Sequence, residues 1–197
     1  YEGELFIQFM DLYGTWKSEA EREYIWEQKR TRLAKVFYSI SPSESIEVQE
    51  RFWFSGHEQW KYLEMPYLDV PIQRAIFVNG ERARTWNSAI KKIPGLYASV
   101  TDVAAAGKQP PSYVSAVGIP SIASQQVQRF DLITPYGAFP VLLANLSVGL
   151  TWYNTMLNGA SMQGPYGSTE ATNTTGTAIS PVLTWDSKIT TLMAMVS

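Results

Sequence analysis

The stretch Tyr136–Leu157 reads YGAFPVLLANLSVGLTWYNTML and contains no charged side chain. A helix that is apolar on all faces is typical of a protein interior, so this stretch predicts a helix buried on most sides. Charge is also scarce around it. After Asp131 the chain carries only the acids Glu170 and Asp186 and the base Lys188. An isolated carboxylate in such surroundings either caps a helix or performs chemistry in a pocket.

The two isolated acids lie among aromatic, glycine and hydroxyl residues. Glu170 ends the segment GPYGSTE (164–170), and Asp186 lies in LTWDSK (183–188). Aromatic rings stack on the C–H faces of pyranose rings, while hydroxyls and carboxylates bind sugar hydroxyls. These surroundings favour a sugar-binding cleft. Each acid also has a simpler interpretation, in which Asp186 is the N-cap of an apolar helix and Glu170 is a solvated loop acid.

Composition excludes several classes of protein. The 197 residues are long enough for one sizeable core. A net charge of -2 and a pI of about 5.5 give no basic surface for nucleic acid or an anionic membrane, and no apolar run is long enough for a transmembrane helix. Cysteine is absent and His57 is the single histidine, which excludes disulfides, thiolate metal sites and a multi-histidine metal site within this sequence.

The two ends of the sequence indicate a segment of a longer polypeptide. It begins with YEGEL (1–5) and closes with TLMAMVS (191–197), and both patterns are typical of interrupted elements. Two N-glycosylation sequons, NLS (145–147) and NTT (173–175), give weak support to secretion.

Hydrophobic periodicity predicts helices joined by unusually long loops, which are often functional. The first helix is predicted to be buried, with Phe6, Phe9 and Tyr13 on its apolar face. Ser18, with Glu21 three residues later, predicts a capping box for the second. The predicted helices cover residues 4–13, 17–38, 71–90, 136–157 and 184–196. The predicted loops cover residues 39–45, 45–70, 94–130 and 159–181. Short strands are predicted within 45–70, and strand-like patches within 94–130 near residues 113–114 and 127.

Two further motifs carry candidate functional residues. The segment HEQW (57–60) combines a base, an acid, an amide and a stacking ring; a general-base His57 is one interpretation, and a structural histidine is favoured over it. Glu2 and Glu4 open an apolar helix, where negative charge suits the helix dipole, and this explanation is favoured for Glu4. The absence of a Gly-x-Ser-x-Gly motif argues against a hydrolase of the serine-triad kind.

Four stretches of the chain resemble the fungal endo-β-1,2-glucanases of glycoside hydrolase family 162. A more distant similarity connects it with the bacterial β-1,2-glucanases of family 144 and with glucoamylase-like proteins. The resemblance implies a mainly α fold, an (α/α)6 toroid with long loops and a few short strands. Residues 1–197 would form about the C-terminal half of that single catalytic domain, with no internal boundary. The four stretches are YEGELF (1–6), HEQW (57–60), GPYGSTE (164–170) and TWDSK (184–188).

The resemblance also implies a chemistry, namely endo-acting, inverting hydrolysis of β-1,2-glucan to β-1,2-linked gluco-oligosaccharides. Glu2 matches the family's general acid and Asp186 its general base. Protons are expected to pass through substrate hydroxyls or water, because the β-1,2 linkage crowds the glycosidic oxygen. No metal or organic cofactor is implied, and a secreted glycoprotein monomer is expected, without a nucleic acid or membrane partner. The predicted substrate-binding residues are His57, Glu58, Trp60, Tyr166, Glu170 and Trp185.

Two alternative functions remain open at this point. One is a glucoamylase-like toroid that keeps the paired acids and hydrolyses another glucan. The other is a non-catalytic glycan-binding or structural toroid. In that case Glu2 and Asp186 would be helix caps only, with no shared cleft.

Overall fold

A computed structural model of the chain describes residues 3–30, 34–103 and 112–196. These residues are mainly helical, with long irregular connections and short strand pairs between the helices. No helix in these ranges is long and apolar enough to cross a membrane. The helices are α1 (Gly3–Tyr13), α2 (Glu19–Arg30), α3 (Lys61–Glu64), α4 (Pro71–Ile90), α5 (Phe139–Ala144), α6 (Leu146–Asn158) and α7 (Trp185–Val196).

The strands of the described residues form short antiparallel pairs. The longest pair packs its inner face, which includes Tyr38, Ile46 and Val48, into the core beside α4. In the other pairs each strand contains two residues, and these pairs connect loop segments. The pairs are β1 (Lys35–Ser41) with β2 (Glu44–Gln49), β3 (Val100–Thr101) with β4 (Tyr113–Val114), β5 (Leu132–Ile133) with β8 (Thr172–Asn173), and β6 (Gln163–Gly164) with β7 (Gly167–Ser168).

The helix predicted over residues 71–90 is confirmed as α4, which begins at Pro71. Proline suits a first helical position because its missing N–H has no intrahelical partner there. Glycine is unfavourable in a helix interior, and close packing explains its presence at position 80. A Cβ at this position would lie 2.9 Å from Gln59 Nε2 and 3.0 Å from Arg51 Nη2. The glycine therefore lets two polar side chains of the preceding segment lie directly against the helix backbone.

The predicted helix over residues 17–38 is wrong in its second half. Its capped start is confirmed, because the Glu21 amide donates to Ser18 Oγ at 3.2 Å and Glu21 Oε2 accepts from the Lys17 amide at 2.9 Å. The segment Lys35–Ser41 forms β1 instead of helix, and it also replaces part of the predicted loop over 39–45. Consecutive Val, Phe and Tyr side chains favour a strand, and pairing with β2 decides the outcome.

The uncharged stretch 136–157 is helical but not one continuous helix. A 3₁₀ turn (Pro135–Ala138) leads into α5, and the chain is extended at Asn145 before α6 begins. Asn145 Oδ1 accepts the Val148 amide at 3.1 Å, which makes Asn145 the N-cap of α6. Only part of the stretch is buried, and Leu146 and Leu150 are exposed. The prediction of burial on most sides is therefore wrong for α6.

The first predicted helix is confirmed as α1, but its predicted burial is wrong among the described residues. Phe6 is 76% exposed, and Phe9 and Tyr13 are also largely exposed. The Phe9 and Tyr13 rings lie 5.1 Å apart and contact each other on the helix surface. The helix ends at Tyr13, where the Gly14 amide donates to Met10 O at 2.8 Å.

The predicted loops contain more regular structure than expected. In the region 45–70, β2 is followed by a 3₁₀ turn (Gly56–Gln59), α3 and a second 3₁₀ turn (Tyr67–Asp69). Residues 94–103 and 112–130 are mostly irregular, as predicted, and the strand at Tyr113–Val114 is confirmed, whereas Val127 lies in no strand. The final helix is confirmed as α7.

Candidate functional site

Asp186 lies in the first turn of α7, directly after Trp185. The helix begins at Trp185, so the N-cap prediction for Asp186 is wrong by position, and the cap position falls on Thr184. Asp186 is half-buried, and its carboxylate has no hydrogen-bond partner among the described residues. The Trp185 side chain is 76% exposed. The partial positive charge at the start of the helix lies beside this acid, so the position combines a carboxylate without a described hydrogen-bond partner with an open aromatic ring.

Glu170 is almost completely enclosed, at 1% exposure. Its Oε1 accepts the backbone amide of Thr101 at 3.2 Å, and its Oε2 accepts the hydroxyl of Thr184 at 2.5 Å. The Glu170 carbonyl accepts the Thr134 hydroxyl at 2.6 Å. Both carboxylate oxygens are bound by protein donors. This arrangement matches neither of the environments predicted for Glu170, which were solvent and sugar hydroxyls.

Lys188 connects α7 with the hairpin formed by β6 and β7. Its ammonium donates to the carbonyl and the hydroxyl of Ser168, at 2.5 Å and 2.6 Å. Burial lowers the pKa of Lys188, and the neighbouring charge of Glu170 acts in the opposite direction. The hairpin presents Tyr166 at its turn with 80% of the side chain exposed. Two exposed aromatic rings, Tyr166 and Trp185, therefore belong to elements that Lys188 ties together.

Tyr136, which sequence analysis did not select, is buried in the 3₁₀ turn before α5. Its hydroxyl is buried and donates to the carbonyl of Ser99. Burial raises the pKa of Tyr136 well above its ordinary value, and the charges of Tyr113, Glu170 and Asp186 raise it further. The phenol is therefore protonated at any physiological pH, and it lies within electrostatic range of both isolated acids.

Arg84 fixes the turn that carries Tyr136. Its guanidinium donates to the carbonyl of Gly137 at 3.1 Å and to that of Tyr97 at 2.8 Å. A bond of 2.6 Å to Glu81 on the same helix neutralises its charge, and both side chains are about 1% exposed. Because α4 is a 20-residue helix, this pair gives the surrounding loops a rigid attachment point.

His57 has the geometry of a structural histidine. It is 7% exposed, and its Nδ1 lies 2.6 Å from the hydroxyl of Ser99. That hydroxyl donates to Ser115 O at 2.7 Å, so it accepts the proton of Nδ1–H. Burial, followed by the positive charge of Arg84, lowers the pKa of His57 to about 3. A base of that strength is poorly matched to proton abstraction near neutral pH, which favours the structural interpretation.

Glu58 and Trp60 complete the predicted HEQW motif. Glu58 is buried, and its two oxygens accept the backbone amides of Phe52 and Ser55, each at 2.8 Å. Trp60 is half-buried between two rings, with centroids 6.4 Å from His57 and 6.4 Å from Tyr136. Glu58 therefore holds its own loop, whereas Trp60 joins His57 to the region around Tyr136.

The structure thus connects most of the residues that the sequence selected. Trp60 links His57 to Tyr136, and Tyr136 lies in the field of Glu170 and Asp186. Tyr166 is attached through the hairpin, whereas Glu58 binds its own loop. Glu2, the predicted general acid, lies outside the described residues. The described residues contain no cluster of three acids or histidines that could hold a metal ion.

The residues missed by sequence analysis act through long-range contacts. Ser99 joins His57 to Tyr136, although these partners are 42 and 37 positions away. Thr184 binds Glu170 across 14 positions. The proline-bounded segment around Tyr136 gave a local signal for a turn, but no local pattern specified its partners.

Comparison with protein families places this geometry in a known context. The profile of the endo-β-1,2-glucanase SGL family, glycoside hydrolase family 162, matches residues 1–197. The chain belongs to this family. The membership confirms the resemblance on which the glucanase prediction was based.

Two solved family structures are similar to the whole of this chain. One is the endo-β-1,2-glucanase from Talaromyces funiculosus in complex with sophorose, at 47% identity and a TM-score of 0.90. The other is a glutamate-to-glutamine variant of the endo-β-1,2-glucanase from Talaromyces funiculosus with β-1,2-glucan, at 46% identity and a TM-score of 0.90. The chain spans 40% of each solved chain. No curated protein sequence matches it.

Proposed function

We propose that the protein containing this chain is an endo-β-1,2-glucanase that cleaves internal linkages of β-1,2-glucan. Family membership and the sugar complexes of the two similar structures support the substrate class. The observation that carries the assignment within this chain is Asp186, a half-buried carboxylate beside the exposed ring of Trp185 that no donor among the described residues binds.

In the proposed reaction, Asp186 is the general base and Glu2 the general acid of an inverting mechanism. Inversion needs one ionised and one protonated carboxyl group, about 6.5–9.5 Å apart or more if a relay intervenes, so that water fits between them. Asp186 lies in the first turn of α7, at the positive end of the helix dipole. The proton reaches Asp186 directly or through a substrate hydroxyl or a second water, because the β-1,2 linkage crowds the glycosidic oxygen.

Sugar binding is assigned first to the exposed aromatic residues. Trp185 and Tyr166 offer open ring faces on which pyranose rings stack, and such sites combine aromatic faces with a few polar groups. Trp60 is half-buried and contributes less ring surface. His57 and Glu58 are buried and bound to protein groups, so they shape the loop under the site.

The same proposal extends to the architecture. We infer that residues 1–197 form the C-terminal part of one (α/α)6 catalytic toroid without an internal domain boundary. Support comes from the mainly helical fold, from the coverage of 40% of each similar chain, and from apolar helix faces that are exposed here. In a toroid those faces pack on neighbouring helices. They include Phe6, Phe9, Leu12 and Tyr13 of α1, Leu146 and Leu150 of α6, and Leu192 and Met195 of α7.

We also propose that the protein is a secreted monomeric glycoprotein. A polymeric glucan is too large to enter a cell, so an endo-acting enzyme meets it outside. The two sequons differ in geometry. Asn145 is exposed and its Oδ1 caps α6, whereas Asn173 uses Oδ1 and Nδ2 within its own turn, including a 3.0 Å bond to Thr177.

The test is product release from linear β-1,2-glucan by the full-length protein, with β-1,3- and α-1,4-glucans as comparison substrates. Short β-1,2-linked products, with inverted anomeric configuration by NMR, are expected from the first substrate alone. Activity on another glucan would favour the glucoamylase-like alternative, and no activity on any glucan would favour a binding role.

The acid assignment has a separate test in Glu2→Gln. This variant is expected to lose hydrolysis while it retains oligosaccharide binding, because glutamine keeps the shape of the side chain and cannot donate the acidic proton. Near-normal turnover would overturn the assignment of Glu2.

A further inference from the structure

We propose that Glu170 is a positioning residue that holds the first turn of α7, and with it Asp186, in the orientation needed for proton abstraction. The sequence predicted a substrate-binding Glu170, so this inference changes its role. It rests on the proposed function, because the benefit of fixing Asp186 is the glucanase reaction.

The Glu170 carboxylate lies in a closed environment. At 1% exposure it offers no surface to a polysaccharide, and each oxygen already accepts a protein hydrogen bond. A buried charge is stable only when it is paired and hydrogen-bonded, and these bonds meet that need. Because the side chain is enclosed, a sugar hydroxyl could reach it only if the surrounding protein groups moved aside.

The bonds of Glu170 lead to the start of α7 and to a separate strand pair. Thr184 occupies the position directly before α7, two residues before Asp186. The Ser187 hydroxyl donates to the Thr184 carbonyl at 3.1 Å, which closes the same turn from the other side. Thr101 belongs to the β3–β4 pair. Glu170 therefore couples the start of α7 to a separate strand pair and limits how far Asp186 can move.

Lys188 compensates the charge of Glu170, and Glu170, Thr184 and Lys188 together form a clamp on the first turn of α7. Lys188, four residues into α7, places its ammonium on Ser168 and lies in the field of Glu170. The attraction between the two opposite charges holds the helix against the segment that carries Glu170. Bonds from Thr184 and Lys188 thus attach both sides of the first turn, and Asp186 lies between these two residues in sequence.

Such a clamp is expected to affect the reaction rate more than substrate affinity. A displacement of about 1 Å of a catalytic group typically costs roughly 10²-fold in rate. A lower kcat with an unchanged KM indicates an interaction that matters only in the transition state. A direct sugar ligand would instead contribute to affinity.

The primary test uses the full-length protein and a matched pair at one position. Thr184→Val removes the hydroxyl that binds Glu170 and is expected to lower kcat roughly 10²-fold, with KM within about three-fold of the parent value. Thr184→Ser restores the hydroxyl and is expected to recover most of the rate. Thr191→Val, which removes only an intrahelical bond to Ser187 O, serves as the control on the same helix.

Glu170→Gln supplies the second arm, alone and combined with Thr184→Val. If both residues act through one bond, the double variant loses little more than either single variant. A raised KM with unchanged kcat in Glu170→Gln, and losses that add in the double variant, would overturn the proposal and make Glu170 a sugar ligand.

Hydrogen exchange separates this proposal from the proposed function. The amides of residues 188–190, which donate to the carbonyls of the first turn in an α-helix that begins at Trp185, are expected to exchange faster in Thr184→Val and near the parent rate in Thr184→Ser, with or without glucan. If the parent protein proves inactive on β-1,2-glucan, this exchange pattern would still support the clamp. Unchanged exchange in Thr184→Val would contradict it.

Discussion

Two kinds of carboxylate occur in this chain, and their surroundings differ in one decisive respect. Glu58, Glu81 and Glu170 are buried, and protein donors bind both oxygens of each. Asp186 is half-buried and has no hydrogen-bond partner among the described residues. The first three acids are committed to the fold, whereas Asp186 remains available to a substrate or a water.

This difference shows that burial alone does not identify a functional acid. A buried carboxylate must be compensated, so its partners reveal a structural role. A general base must keep an oxygen free for the proton that it removes. The sequence marked Glu170 and Asp186 equally, as isolated acids among aromatic and hydroxyl residues. The hydrogen bonds separate them.

The largest expected effect is a loss of folding stability when Arg84, the partner of the buried acid Glu81, is replaced. Arg84→Met leaves Glu81 as a buried, unpaired charge and removes the bonds to Tyr97 O and Gly137 O. Loss of one partner of a buried ion pair destabilises a protein by about 3–5 kcal/mol. Urea unfolding of the full-length protein measures this loss. Arg82→Met, at an exposed position of the same helix, is the control and is expected to change stability little.

A smaller loss is expected from Glu58→Ala, which tests whether Glu58 belongs with the committed acids. The change leaves the amides of Phe52 and Ser55 without their acceptor, at about 1–3 kcal/mol for a buried unsatisfied group. Glu23→Ala, exposed on α2, provides the comparison. If the two variants unfold at the same urea concentration, the structural role assigned to Glu58 is wrong.

Trp185 stands next to the available acid Asp186. Trp185→Ala is expected to weaken oligosaccharide binding by roughly 1–3 kcal/mol, the range for losing an aromatic contact. The fold should be unaffected, because the ring is 76% exposed. Calorimetric titration with a β-1,2-linked oligosaccharide measures the affinity, and thermal unfolding supplies the control. Unchanged affinity together with a lower Tm would give Trp185 a packing role only.

The smallest effect is expected from His57 and concerns pH. Its pKa falls from 6.5 to about 3 on folding, so below pH 6.5 the unfolded chain binds a proton that the folded chain does not. Stability from this group is therefore present above pH 6.5 and is lost as the pH falls toward 3, by about 1 kcal/mol between pH 6 and pH 5. His57→Gln should flatten that slope in urea unfolding. Equal slopes for parent and variant would show that His57 is protonated in the folded protein.

Local patterns predicted part of the fold well. The helices α4 and α7 follow their predicted bounds closely, because proline at position 71 and the apolar run after Asp186 are local signals. The capped start of α2 was also readable from Ser18 and Glu21. The errors arose where tertiary pairing decides. Lys35–Ser41 follows the charged helical pattern of the residues before it, but its Val, Phe and Tyr side chains favour a strand and pairing with β2 decides the outcome.

The candidate site was predictable in its residue types but not in its connections. The isolation of Asp186 and the aromatic character of Trp185 and Tyr166 are visible in the sequence. The place of Tyr136 is not, because it depends on Ser99, 37 positions away. Similarly, the bond between Glu170 and the Thr101 amide spans 69 positions. No local periodicity contains that information.

The most direct test of the distinction between committed and available acids is turnover of linear β-1,2-glucan by full-length Asp186→Asn. Loss of a general base is expected to lower kcat by roughly 10²–10⁴-fold. Thermal stability and oligosaccharide binding should remain near the parent values, because no described residue depends on this carboxylate. Near-parent turnover by a folded Asp186→Asn protein would contradict the account and assign the base to another residue.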